Sequence, residues 1–177
     1  VSLEPCAHQG KTPPCADLIV KHKLKQVVIC NNDPFAEVDG KGIKRLEQAG
    51  IEVITGVLES EGRWLNRRFF NFHEKKRPYI ILKWAQTIDG YIDRDRSPGD
   101  QEPPLKITTD ESNKLVHKWR TEEAAILVGK NTALLDDPRL TARHWPGSNP
   151  LRLVIDPQLQ LPPTLRMFND EQETWVY

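Results

Sequence analysis

The fold prediction rests on residues 27–54, which read VVICNNDPFAEVDGKGIKRLEQAGIEVI. The stretch opens on a short apolar run at 27–30 and closes on alternating residues at 51–54, and both patterns are typical of β-strands. Between them, apolar residues at helical spacing predict a helix over 43–49, which Gly50 is placed to end in a left-handed conformation. This strand–helix–strand order predicts an α/β fold with an open sheet.

The same alternation of strands and helices continues on both sides of that stretch. A helix is predicted before it, over 15–23, and another after it, over 59–70. A short charged break at 73–78 then interrupts the pattern. We therefore predict two domains, at 1–74 and 75–177.

Beyond the break the alternation restarts. Three apolar runs predict strands, the first two of them buried: 79–85, 124–129 and 151–156. A polar loop is predicted over 94–104, and Thr109 can cap the helix that follows it. The predicted inner face of this helix consists of Leu115, Val116 and Trp119. Both ends of the chain resemble strands that continue, so we interpret it as part of a longer protein.

The composition excludes several classes of protein. Of 177 residues, 28% are charged and 38% hydrophobic, which suits a folded globular chain rather than a disordered one. The 25 basic and 25 acidic side chains balance, which argues against a nucleic-acid or membrane partner. No apolar run approaches the roughly 20 residues needed to cross a bilayer. An odd number of cysteines, three, indicates a reduced compartment, and we expect a cytoplasmic protein.

Two of the cysteines, Cys6 and Cys15, are candidates for binding a metal. Cys15 opens a predicted helix, where the N–H groups and the dipole favour the thiolate, which is the zinc-binding form. A catalytic zinc ion takes three protein ligands and a water, so two cysteines supply only part of a site. The spacing alone equally allows two free thiols without a metal, and a structural zinc module with four ligands is a further alternative.

The residues around the cysteines make the pattern more specific. Residues 3–15 read LEPCAHQGKTPPC, and this string closely resembles the second half of the zinc site in the pyrimidine deaminase domain of riboflavin biosynthesis. That domain belongs to the cytidine-deaminase-like group, and the resemblance implies a zinc-activated water that displaces an amino group as ammonia. In that family the third zinc ligand, a histidine, and the proton-shuttling glutamate lie N-terminal to the stretch, before Val1.

The resemblance implies three further contacts with the deaminase substrate: His8, Lys11 and Asp33. By their chemistry alone, His8 and Lys11 are as readily solvated loop side chains. The family usually has an asparagine where this chain has Phe35, so the loop departs from its pattern. Four residues without such context are interpreted as structural or surface residues: His22, Cys30, His73 and His117.

From Tyr79 onward the chain resembles the reductase domain of the same bifunctional family. The matching residues include Leu82-Lys83, Asp89-Gly90, Ile107-Thr108-Thr109, Ile126-Leu127-Val128-Gly129 and Asp136-Asp137-Pro138. That domain has a fold like dihydrofolate reductase and passes a hydride from NADPH to the sugar of a phosphorylated ribosylaminopyrimidine. The chain is therefore expected to hold the C-terminal part of a cytidine-deaminase-like domain followed by the N-terminal part of a dihydrofolate-reductase-like domain.

The resemblance also assigns roles within the reductase. The residues implied to bind NADPH are Ala85, Lys106, Thr132 and Asp136. The residues implied to bind the phosphorylated substrate are Lys83, Arg120, Leu140 and Arg143. Without the resemblance, both arginines would be interpreted as surface salt-bridge partners. Family members associate through this domain, which implies a homo-oligomer.

Two departures from the family pattern leave an alternative open. Lys106 and Pro104 stand where the family usually has a tryptophan and a serine. A homologue with only the deaminase or only the reductase activity is therefore the main alternative among enzymes.

Overall fold

The structure is a computed structural model that describes residues 1–100 and 102–177, so Gln101, within the predicted loop 94–104, lies outside the described residues. The chain divides into two compact units, Val1–Leu82 and Lys83–Tyr177. Each unit contains its own parallel sheet with helices, which confirms the α/β prediction. Among the described residues, no helix is both long and apolar enough to cross a membrane.

The sheet of the first unit is formed by β1 (Gln26–Ile29) and β2 (Glu52–Thr55), which run parallel. Val1 lies beside β1: its amine donates to the Val28 carbonyl at 2.7 Å, and its own carbonyl accepts from the Cys30 N–H at 3.0 Å. This exchange with the residues on either side of one position is the hydrogen-bond pattern of a parallel pair. The start of the chain therefore lies against the sheet.

Four helices complete the first unit: α1 (Cys15–Lys21), α2 (Lys41–Gln48), α3 (Glu59–Leu65) and α4 (Arg67–Lys75). The predicted stop after α2 is confirmed, because Gly50 has a φ of 76° and its N–H donates to the Glu47 carbonyl at 2.9 Å. The core of this unit consists of Ala16, Val27, Ile29, Leu46 and Ile51.

The single helix predicted over 59–70 is wrong, since the segment forms α3 and α4 with Asn66 between them. The Asn66 amide donates to the Gly62 carbonyl at 3.1 Å and to the Ser2 carbonyl at 3.4 Å. A side chain that competes for backbone acceptors in this way favours a break in a helix. Apolar periodicity alone does not register that competition.

The second unit has a three-stranded parallel sheet in the order β3 (Ala125–Gly129), β4 (Leu151–Ile155) and β5 (Thr174–Val176). Its helices are α5 (Asp110–Glu122) and α6 (Lys130–Asp136). The predicted cap of α5 is confirmed, because the Thr109 hydroxyl accepts from the Ser112 N–H at 3.2 Å. The core of this unit consists of Ala133, Leu140, Val154 and Met167.

The buried strand predicted over 79–85 is wrong. The segment has no regular structure, and Ile80, Leu82 and Trp84 are 67%, 78% and 62% exposed. A strand is stable only where neighbours satisfy its backbone groups. Within 1–100 and 102–177, no strand pairs with this segment.

The burial predicted for α5 and β3 also needs correction. Leu115 and Trp119 are exposed, whereas His117 between them is buried to 1%. The reason is that α5 packs against the loop that contains Thr141, where polar side chains of the helix find their contacts. In β3, Leu127 is exposed, so the strand is covered on one face only.

Gly42, in the first turn of α2, should tolerate no side chain. A Cβ built there lies 1.8 Å from the Pro5 carbonyl oxygen, a backbone atom with little freedom to move. We expect Gly42→Ala to lower the free energy of unfolding by roughly 2 to 3 kcal/mol, measured by urea denaturation. Gly10→Ala is the matched control, because the atom closest to its Cβ is 3.9 Å away. Equal stability of the two variants would contradict this contact.

Candidate functional sites

The structure brings Cys6 and Cys15 together at the start of α1. The Cys15 N–H donates to the Cys6 Sγ at 3.4 Å, and the Ala16 N–H donates to the Cys6 carbonyl at 3.1 Å. Burial raises the pKa of the Cys15 thiol, and its hydrogen bond to Cys6 and the charge of Cys6 raise it further. The two thiols thus share one environment, in which a cation would favour their ionised forms.

The pair does not belong to a larger ligand set within the part of the chain that the structure describes. No group of three histidine, cysteine, aspartate or glutamate side chains there is arranged to hold a metal ion. Since a catalytic zinc ion takes three protein ligands, the two thiols alone do not complete such a site. Their metal-binding role stays a prediction.

Glu4 organises the loop opposite the cysteines. Its carboxylate is 4% exposed and accepts four backbone N–H groups: those of Gly42 at 3.0 Å, Ile43 at 3.3 Å, Gly40 at 3.0 Å and Asp33 at 3.4 Å. The negative charge lies at the start of α2, where unpaired N–H groups and the helix dipole stabilise it. Nothing in the sequence indicated this role, because the partners of Glu4 are 29 to 39 residues away.

A cluster of aromatic rings and a carboxylate lies in the loop that Glu4 holds. The Phe35 ring lies between two histidines, with its centroid 6.2 Å from His8 and 5.3 Å from His73. Asp33 is 7% exposed and accepts from the Phe35 N–H at 2.8 Å. Burial raises the pKa of Asp33, while the Phe35 N–H and the charges of His73 and His8 act in the opposite direction. The structure thus brings His8 and Asp33 to the same residue, Phe35, and their contact with a substrate stays a prediction.

His73 is the member of this cluster that sequence reasoning missed. Its ring also packs 4.4 Å from that of Phe69, within α4. Nothing local in the charged stretch around it signals a site. Lys11, by contrast, is exposed, and among the described residues it makes no hydrogen bond or ion pair with the cluster.

The second unit contains a cluster of cationic side chains around Thr141. Arg120, on α5, donates from Nη1 to the Thr141 carbonyl at 2.8 Å, while its Nε is buried without a partner. Burial lowers the pKa of Arg120, and the charge of Arg143 lowers it further. Arg143 follows Thr141 by two residues, so the hydrogen bond of Arg120 brings α5 to the short segment that carries the second arginine. In the part of the chain that the structure describes, no carboxylate pairs with either arginine. Two neighbouring cations without a counter-charge form a suitable site for an anion.

His117 belongs to the same cluster, although the sequence suggested only a structural or surface role. Its ring lies edge-on to that of His144, with centroids 4.6 Å apart. Burial lowers the pKa of His117 to about 4, and the charges of Arg120, Arg143 and His144 act in the same direction. Contact with the Thr141 backbone opposes the shift only in part. His117 is therefore neutral at physiological pH.

The residues predicted to bind NADPH do not form one cluster with described contacts between them. Thr132 and Asp136 share α6, but Arg96 forms an ion pair with Asp136 and donates to the Leu135 carbonyl at 2.8 Å. The Arg96 side chain is 6% exposed, and this anchor was not found from the sequence. Lys106 is exposed and pairs with Asp110 at 2.8 Å, a hydrogen bond that raises its pKa.

The remaining predicted residues are not brought to the arginine cluster by any described contact. Lys83 is exposed and Ala85 is half-buried, both in the segment without regular structure. Leu140 is 4% exposed and packs in the core of the second unit, with a left-handed φ of 55°. Its role in a substrate pocket, like the roles of Lys83 and Ala85, stays a prediction.

Replacing Glu4 should loosen the loop that it holds. Glu4→Gln exchanges one acceptor oxygen for an amide that faces N–H donors, so we expect the free energy of unfolding to fall by roughly 2 to 3 kcal/mol. Amide hydrogen exchange at Gly40 and Gly42 should accelerate. Glu37→Gln, an exposed carboxylate in the same loop, is the control. Unchanged exchange in Glu4→Gln would contradict the capping role.

His117 should make stability depend on pH. Its pKa of about 4 lies below the ordinary 6.5, so between these values the unfolded chain binds a proton that the folded chain does not. The stability linked to this group is complete above pH 6.5 and declines as the pH falls to about 4, by up to about 3 kcal/mol. We expect His117→Gln to lose less stability than the wild type between about pH 7 and about pH 4.5.

The measurement is the free energy of unfolding by urea at both pH values. His22→Gln, which removes an exposed histidine, should behave as the wild type does. If His117→Gln and the wild type lose equal stability, His117 is not the group responsible.

The family model and two curated relatives that this chain matches all carry the name RibD. A family model described as the RibD C-terminal domain matches residues 78–177. The chain is 44% identical to the riboflavin biosynthesis protein RibD of Aquifex aeolicus over 97% of its length, and 36% identical to that of Escherichia coli over 99%. These alignments cover 47% and 50% of the two relatives, so the chain spans about half the length of the curated relatives it matches.

Solved structures agree with the sequence comparison. A diaminohydroxyphosphoribosylaminopyrimidine deaminase/5-amino-6-(5-phosphoribosylamino)uracil reductase from Thermotoga maritima superposes with a TM-score of 0.84 at 41% identity. RibD from Acinetobacter baumannii, in one of its forms, gives 0.84 at 34% identity. Each match covers 98% of this chain and 48% or 49% of the other.

Proposed function

The chain belongs to the family of the RibD C-terminal domain, and from that premise we propose that the protein catalyses two steps of riboflavin biosynthesis. The first is the zinc-dependent hydrolytic deamination of a phosphorylated ribosylaminopyrimidine. The second is the NADPH-dependent reduction of its ribosyl group to a ribityl chain. Residues 1–74 would form the C-terminal part of the deaminase domain and residues 75–177 the N-terminal part of the reductase domain.

The observation that carries this proposal is the hydrogen bond from Arg120 to the Thr141 carbonyl, two residues before Arg143, in the half matched by the family model. Both cations lie beside Thr141 without a carboxylate partner in the described part of the chain. A sugar phosphate supplies the negative charge and the oxygen acceptors that two planar guanidinium groups bind best. The phosphate of the ribosylamine substrate is therefore the ligand that this cluster suits.

In the reductase, the chain's own residues would bind and orient the two reactants. Arg120 and Arg143 would hold the phosphate, while Lys83 and Leu140 would contact the rest of the substrate. The residues proposed for the cofactor are Ala85, Lys106, Thr132 and Asp136. NADPH, when bound, supplies the hydride that reduces the sugar carbon. Fixing that carbon by its phosphate end turns a bimolecular encounter into a positioned reaction.

Two of the residues proposed for NADPH have side chains that are chemically suited to it and accessible, whereas a third, Asp136, is already engaged in an ion pair. Thr132 is exposed near the start of α6, and Lys106 is an exposed cation suited to a phosphate oxygen. Asp136, however, is held by Arg96 at the other end of α6. A contact between Asp136 and the cofactor would therefore include Arg96 or displace it.

Zinc fits the two thiols of the first unit. Cys6 and Cys15 are adjacent, and thiolates are ligands that zinc prefers. They would hold the ion together with ligands outside the described residues. His8, Lys11 and Asp33 would contact the pyrimidine substrate, and the buried Asp33 carboxylate is suited to accept an N–H of the ring.

Other properties of the whole protein stay predictions. The small phosphorylated pyrimidine is the proposed partner, without nucleic acid or membrane. Association into a homo-oligomer through the reductase domain and a cytoplasmic location are expected from the family resemblance and the cysteine usage.

Replacement of Arg143 in the full-length protein tests the proposal. We expect Arg143→Gln to raise KM for the phosphorylated substrate about tenfold or more, because a charge-assisted contact with the phosphate is lost. KM for NADPH should not change. Oxidation of NADPH and release of ammonia are followed separately by absorbance. Arg139→Gln, which removes an exposed arginine from the same loop, is the matched control and should leave KM unchanged.

Two outcomes would contradict the proposal. Equal effects of Arg143→Gln and Arg139→Gln would show that Arg143 does not contact the phosphate. Release of ammonia by the wild type without any oxidation of NADPH would show a single-activity deaminase.

A further inference from the structure

His117 and Arg120 are neighbours on one face of α5, since they are three residues apart. His117 is 1% exposed, whereas Arg143, in the loop that packs against α5, is exposed. The buried His117 cannot itself reach a bulky ligand. It is nevertheless in contact with the elements that carry both arginines.

Three contacts join α5 to the loop at 141–144. The Arg120 Nη1 donates to the Thr141 carbonyl at 2.8 Å. His117 interacts with the same Thr141 backbone, and its ring packs edge-on against His144 with centroids 4.6 Å apart. Arg143 lies between Thr141 and His144 in the sequence, so both of its flanks are fixed by these contacts.

The groups that face His117 are all cationic or neutral. They are Arg120 from α5, Arg143 and His144 from the loop, and the Thr141 backbone. A charged imidazole at this place would be repelled by the positive charges of Arg120 and Arg143. A neutral imidazole fills the space between helix and loop without adding to that repulsion. Its Nδ1 is buried without a hydrogen-bond partner, so no second hydrogen bond fixes the ring.

We propose that His117 is a positioning residue for the arginine pair: its buried ring, packed against His144, fixes the 141–144 loop against α5 so that Arg120 and Arg143 bind one phosphate dianion together. This inference rests on the proposed function, in which that dianion is the phosphate of the reductase substrate. His117 acts through the arginines and does not touch the substrate. A dianion between the arginines also offsets their repulsion of a proton on His117, so its pKa should rise when the anion binds.

Kinetics of the full-length protein test the positioning role. His117→Leu removes the polar contact with Thr141, and we expect KM for the phosphorylated substrate to rise about tenfold while kcat stays within about twofold. His117→Gln keeps a neutral N–H donor and should restore KM to within about threefold of the wild type. His22→Gln, in the other unit, is the control for removal of an exposed histidine.

The substrate without its phosphate separates positioning from a merely structural role. With that compound the wild type and His117→Leu should have the same KM, because the arginine pair has no dianion to bind. A KM raised equally for both compounds, or a KM that His117→Leu leaves unchanged, overturns the proposal.

Binding of sulfate distinguishes this inference from the proposed function. Sulfate is a dianion throughout the relevant pH range, and imidazole resonances of the full-length protein are followed by NMR during a pH titration. We expect sulfate to raise the pKa of His117 in the wild type and to have no such effect in a variant with both arginines replaced by Gln. If that shift occurs in a protein that does not oxidise NADPH, the proposed function fails and the inference stands. If NADPH is oxidised normally and sulfate leaves the pKa of His117 unchanged, the inference about His117 fails while the proposed function stands.

Discussion

The buried carboxylate of Glu4 is the interaction on which the first unit depends. A charge with 4% exposure is costly unless donors replace the water that it has lost, and here four backbone N–H groups do so. Those donors begin α2 and fix the loop that carries Asp33. Because Glu4 also lies two residues before Cys6, one side chain joins both halves of the proposed deaminase surface.

In the second unit, arginine side chains hold separate segments together by donating hydrogen bonds to backbone carbonyls. Arg152, in β4, is 0% exposed and donates to the Asn169 side chain at 2.8 Å and to its carbonyl at 3.0 Å. Arg96 and Arg120 likewise donate to carbonyls, those of Leu135 and Thr141. Arginine does not deprotonate in proteins, so a buried guanidinium group such as that of Arg152 needs several acceptors, which the segment around Asn169 supplies. The loops between the parallel strands are therefore held by cations rather than by apolar contacts alone.

The features that the sequence predicted well are those with local causes. Gly50 ends a helix because its own backbone adopts a left-handed conformation, and Thr109 caps a helix through a donor three residues away. The order of strands and helices follows from periodicity within short windows. The cysteine pair was found for a similar reason, since Cys6 and Cys15 are only nine residues apart.

What the sequence did not predict depends on partners far along the chain. Glu4 meets donors 29 to 39 residues away, and Arg96 meets Asp136 at a separation of 40. His73, in α4, contacts Phe35 in a loop 38 residues earlier, and no local pattern distinguishes it from a surface histidine. In the segment 79–85 the local pattern is present but the distant partner is missing. Its apolar residues predict a strand, and the described chain provides no neighbouring strand for it to pair with.

The contacts of Glu4 also set an order of events for a chain that is synthesised from its N-terminus. Its carboxylate is made early, but its donors follow only when the residues up to Ile43 have left the ribosome. Until then the carboxylate stays hydrated, whereas Cys6 and Cys15, which are only nine residues apart, can already meet. Assembly of this surface during translation thus waits for α2, although both thiols are already present.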